Sequence, residues 1–120
     1  MALAAVVDRR RGAVVCERCV VADSPLARLK GLLGRKSLPA GEGILLRPTS
    51  AVHTSFMRFP IDVVFLSREL EVVETVDDVR PWRLAARRGA HAVLELPAGE
   101  RARRAIAPGD RLALDRERCS

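Results

Sequence analysis

His53-Thr54-Ser55-Phe56-Met57-Arg58-Phe59-Pro60-Ile61-Asp62-Val63-Val64-Phe65-Leu66 holds three of the chain's four aromatic residues beside one of its two histidines. Ile61 to Leu66 is β-branched and apolar apart from Asp62, which predicts a core strand. Met57 to Pro60 reads as the bend that feeds it, since proline cannot donate to a sheet ladder. Ser67-Arg68-Glu69 then makes a short polar connection, and Leu70 to Val79 pairs back on Ile61 to Leu66 as a hairpin in the middle of a sheet.

Outward from this hairpin, Ala13 to Val21 reads as a first strand, and Ile44 to Leu46, Ala51 to Thr54, His91 to Leu96 and Arg111 to Leu114 as further ones. Ser24 and Pro25 suit the N-cap and first position of a short helix over Pro25 to Leu33, with Gly34 as its stop. A second short helix is expected over Glu100 to Ile106, with its arginines in solvent and Ala102, Ala105 and Ile106 packed. Arg80 to Gly89 reads as an irregular crossing segment. The predicted fold is mainly β: an antiparallel sandwich or partly closed barrel with two short edge helices. Residues 1–12 are expected to be a flexible tail, 13–115 one β-rich domain and 116–120 a second tail.

Aliphatic residues supply nearly all of this core, because the chain has one Trp, three Phe and no Tyr. The net charge of +6 rests on arginine, with Lys30 and Lys36 the only lysines among 21 basic residues. Arg80, Arg83, Arg87, Arg88, Arg101, Arg103 and Arg104 gather in the second half. Such a cluster could attract an anionic partner. The aromatics that would stack bases are missing from it, which disfavours nucleic acid. No apolar run reaches the length of a membrane span, and Met1 to Val7 lacks the basic start of a secretory signal, so a cytoplasmic location without membrane contact is expected.

Several separated motifs occur in order from Val14 to Leu114: Arg28-Leu29-Lys30-Gly31-Leu32-Leu33-Gly34-Arg35, Gly43-Ile44-Leu45-Leu46, His53-Thr54 with Met57, Pro60 to Leu66, Val93-Leu94-Glu95-Leu96-Pro97-Ala98-Gly99, and Pro108-Gly109-Asp110. Together they resemble the prokaryotic family known as domain of unknown function number 192. The resemblance implies a small mainly-β domain, exported in many bacteria and without an assigned biochemical role. This chain departs from the family by lacking a visible export signal and by carrying Cys16 and Cys19.

Asp62 and Glu95 each interrupt an apolar strand, so each must point to the other face, find a partner or shift its pKa. Pairing of either with Arg28 or Arg58 would order the first helix on the sheet, and breaking such a buried pair costs about 3–5 kcal/mol. The functional alternative gathers Arg28, His53, Thr54, Asp62, Trp82 and Glu95 as ligand-binding candidates, with arginine for an anion and histidine for proton exchange. Trp82 lies on a loop between strands, where binding residues often sit.

The leading expectation is a noncatalytic binding module for a small polar or anionic ligand or a protein partner. The alternatives are a small acid–base enzyme using Asp62 and Glu95, and a nucleic-acid-associated protein acting through its arginines. Opposite placement of the two carboxylates would leave the enzyme no geometry. No catalytic residue, cofactor or metal is assigned. Cys16-Glu17-Arg18-Cys19 has the spacing of a metal-ligand or redox pair, yet a redox dithiol usually opens a helix and cysteines three apart on a regular strand face opposite sides, so they read as structural or incidental thiols.

Overall fold

The computed structural model describes residues 2–24, 36–55 and 57–118. The strands are β1 (Ala2–Asp8), β2 (Val14–Ala22), β3 (Glu42–Leu46), β4 (Ala51–His53), β5 (Ile61–Leu66), β6 (Val72–Val79), β7 (Leu84–Ala86), β8 (Ala92–Pro97) and β9 (Leu112–Asp115), with one short helix, α1 (Glu100–Arg103), before β9. Seven strands form one sheet in the order β6-β5-β8-β3-β2-β1-β9, and β4 pairs with β7 as a separate two-stranded arm. All pairs are antiparallel except β2 with β3. Parallel neighbours need a long crossover. The helix expected over 25–33 falls within that connection, outside the described residues.

The sheet is mainly β and curled into a half-barrel. Its two ends approach at one corner, where Leu112 N–H donates to Leu70 O at 2.9 Å and Val72 N–H to Asp110 O at 2.8 Å. Inside the curl, Val64, Leu66, Val72, Leu94, Leu96, Leu45, Val21, Val6, Ile106 and Leu112 form one buried cluster. Outside it, Ile44, Leu46, Ile61, Val63, Phe65 and Val93 form a second, covered by Leu38, Val52 and Met57. A strand buried on both faces reads as a nearly continuous apolar run. All six residues of β5 are buried accordingly.

Three expectations need correction. Residues 2–8 are not a loose tail: Ala4, Ala5 and Val6 are buried, and β1 lies between β2 and β9. The β5–β6 hairpin does form, but β6 is an edge strand, so the middle of the sheet is β8, β3 and β2. The helix before β9 is a single turn, because Ala105 takes a left-handed conformation at φ 57°. Of the three residues expected to pack there, only Ile106 is buried, while Ala102 and Ala105 are exposed.

Candidate functional site

Asp62 is 1% exposed. Its Oδ1 accepts from Asp78 N–H at 2.9 Å, and its Oδ2 from Gly99 N–H at 2.9 Å and Arg101 N–H at 3.0 Å. Gly99 is the N-cap of α1 and has no side chain to cap with, so Asp62 supplies that cap from β5. Charge-assisted bonds to backbone amides are strong ones, and here they fasten β6, the turn after β8 and α1 to one carboxylate. The predicted Arg58 partner is exposed, and Arg28 lies outside the described residues.

Glu95 stands opposite Ile44 on β3 and Val63 on β5, both members of the outer apolar cluster. Asp62 stands opposite Leu96, a member of the inner one. The two carboxylates therefore face opposite sides of the sheet, which removes the geometry of the acid–base enzyme. Burial pushes the Glu95 carboxyl up to about 7, with no neighbour among the described residues offsetting it.

Thr54 is fully buried just past β4. Its hydroxyl donates to Arg80 O at 2.6 Å and accepts from Arg83 N–H at 2.8 Å. Its backbone N–H donates to Arg83 O at 2.8 Å, and its carbonyl accepts from Trp82 N–H at 3.1 Å. One threonine thus holds both ends of the Arg80 to Arg83 turn. At its tip Trp82 adopts φ 66°, a conformation that costs a bulky side chain energy and persists only where its surroundings impose it.

The product of that clamp is an exposed surface. Trp82 is 60% and Leu84 73% exposed, the largest values among the big apolar side chains of the described residues. Leu84 stands opposite the exposed His53 on the β4–β7 arm. Arg80, Arg83, Arg87 and Arg88, all exposed, lie in the same stretch of chain. Arg80 and Arg87 make only loose, exposed ion pairs, 3.6 Å to Asp78 and 3.9 Å to Glu74.

Of the predicted site residues, the fold thus brings His53, Thr54 and Trp82 together. It sends Asp62 to the inner face and buries Glu95 on the outer one. Leu84 was missed because 80–89 read as irregular; its signal was the apolar Leu84-Ala85-Ala86 run just after the tryptophan. Among the described residues no cluster of three or more His, Cys, Asp or Glu could hold a metal ion. No helix there is long and apolar enough to cross a membrane.

A family profile described as an uncharacterized ACR, domain of unknown function 192, matches residues 6–114. The UPF0127 protein PF1050 of Pyrococcus furiosus is 36% identical over 101 residues, which cover 79% of this chain and 84% of that protein. A crystal structure from Sinorhizobium meliloti 1021, of a protein called a candidate transcription regulator, superposes with a TM-score of 0.80 at 22% identity, covering 93% of this chain and 92% of that one. A protein of unknown function from Novosphingobium aromaticivorans DSM 12444 gives 0.79 at 24% identity, covering 92% and 83%. At these identities the two crystal structures show a shared fold.

Proposed function

Since this chain belongs to the family of uncharacterised proteins named for domain of unknown function 192, we propose its function from its own surface: a noncatalytic binding module that docks a protein partner through the β4–β7 arm. The carrying observation is the exposure of Trp82, on a turn that buried Thr54 holds at both ends, and of Leu84 at the start of β7. A preformed aromatic anchor loses little freedom on binding, and Trp and Arg dominate the energetics of interfaces. The four exposed arginines of the same segment favour a partner with acidic groups beside an apolar pocket. Thr54 acts as the positioning residue, and His53 forms the rim beside Leu84.

A small ligand held by Asp62 has less support, because three backbone amides occupy that carboxylate. The regulator description of the S. meliloti protein raises nucleic acid as a partner. Against it, Arg101, Arg103 and Arg104 are engaged with Asp77, Glu100 and Glu17, which leaves fewer free charges for phosphates. We read the chain as one domain with a partly closed barrel, acting in the cytoplasm. The continuous sheet from Ala2 to Asp115 supports the single domain.

The test is photocrosslinking in cells from a photoreactive amino acid placed at Leu84 of the full chain. The expected result is a discrete adduct that Trp82→Ala or a paired Arg83→Glu, Arg87→Glu change abolishes and Glu95→Gln preserves. Adducts matching those from a probe at Arg68, on the distant β5–β6 turn, would sink the proposal.

A further inference from the structure

Strand β2 is not regular, and its irregularity reverses the expected placement of two cysteines. Val6 pairs with Cys16 and Ala4 with Cys19, so three steps of β2 span two steps of β1. The extra residue makes a bulge, and Glu17 and Arg18 are both pushed to the exposed side. Cys16 and Cys19 then enter the same inner cluster, both fully buried.

The distance between them shrinks as well. At about 3.4 Å per residue, two steps of β1 set the opposed Cα atoms about 7 Å apart, where a regular strand would give about 10 Å. A disulfide spans Cα separations of about 4.4–6.8 Å, so little movement closes the gap. Cys16 Sγ donates to Gly41 O at 3.5 Å and Cys19 Sγ to Val20 O at 3.7 Å. Gly43 leaves the space that Cys16 Sγ occupies, since a Cβ there would sit 3.1 Å from the sulfur and 2.8 Å from Glu95 O.

The bulge is latched from outside. Arg104 donates to Val14 O at 3.0 Å and to the two Glu17 oxygens at 2.8 and 2.6 Å. Cys16 has a thiol held below its usual range, chiefly by the hydrogen bond with Cys19 and further by the Arg18 N–H and the Arg104 charge, against the effect of burial.

We propose that Cys16 and Cys19 are a redox-active dithiol that closes to a disulfide across the β2 bulge by exchange with a low-molecular-weight disulfide. The Cys16 thiolate attacks one sulfur of the small disulfide, forming a mixed disulfide and releasing one small thiolate. Cys19, as its thiolate, then attacks Cys16 Sγ, forming the Cys16–Cys19 bond and releasing the second. The two cysteines lose two electrons and two protons, and the small disulfide becomes two small thiols. Because both sulfurs are buried, exchange proceeds through local opening of the bulge, which the Arg104–Glu17 pair restrains.

The experiment uses the full chain with Cys119→Ser, so that the third cysteine cannot compete. Protein is equilibrated in glutathione buffers from reducing to oxidising, quenched with acid, alkylated and mapped by mass spectrometry, with Trp82 emission confirming the native state. The expected result is joint loss of two alkylatable thiols, one Cys16–Cys19 bond, and severalfold faster closure in Glu17→Gln. Thiols that stay alkylatable in oxidising buffer, that oxidise only in denaturant, or that end as glutathione adducts would overturn the proposal. An unchanged rate in Glu17→Gln would overturn the latch.

Discussion

Glu95 and Asp62 are both carboxylates inside apolar strands, and the structure treats them in opposite ways. Glu95 has no compensating donor among the described residues and sits at about 7 against an ordinary 4.5. The sign follows directly. Below 4.5 folded and unfolded chains both hold this proton, and between 4.5 and about 7 only the folded chain does. Stability therefore falls as pH rises through that window and levels off above it, a loss of about 3 kcal/mol at about 1.4 kcal/mol per unit. Asp8, Glu17, Asp77 and Glu100 are shifted downward, so their contributions are lost at lower pH and leave this window to Glu95. Urea midpoints at about pH 5 and about pH 8 should differ in the natural chain and nearly coincide in Glu95→Gln; equal dependence in both would refute the assignment. Asp62→Asn replaces an oxygen that accepts from amides with a group that donates, and should cost about 2–4 kcal/mol in the same measurement. That Asp62 needs a partner was legible from its apolar flanks. Which partner was not, because backbone amides brought in from β6 and the turn before α1 leave no mark on the sequence.

At the scale of elements, the strands with β-branched runs were readable and the ones built of alanine were not. Val63-Val64-Phe65-Leu66 and Val93-Leu94 declare themselves, whereas Ala2-Leu3-Ala4-Ala5 has small side chains and leads into Arg9 to Arg11, the pattern of a solvated tail. Tertiary pairing overrides that weak local signal, since β1 fills the gap between β2 and β9. Removing residues 2–8 should therefore abolish cooperative unfolding as followed by circular dichroism, while a true tail would leave the transition in place. The β2 bulge was equally hidden. A register shift is a property of two strands, and alternation read along one of them puts Cys16 and Cys19 on opposite faces.

Across the whole molecule, the two faces of one curled sheet divide the work. The inner face is apolar apart from Asp62 and holds the cysteines, while the outer face carries Glu95 and is covered by Val52, Met57 and Leu38. The β4–β7 arm packs on that outer face through Val52 and Ala85, and its segment displays what the core does not need: Trp82, Leu84 and four arginines. The sequence located this region through His53, Thr54 and Trp82, yet it could not separate them from Asp62 and Glu95, because only the strand register assigns faces. If the arm is a docking surface, Trp82 serves recognition more than folding. The most direct measurement is on Trp82→Ala, comparing its thermal midpoint and its crosslinking from position 84 with those of the natural chain. Surface changes outside special features alter stability by about 0.5 kcal/mol or less. The account predicts an unchanged midpoint with the crosslinked adduct gone; a lowered midpoint with the adduct retained would make Trp82 a structural residue and contradict it.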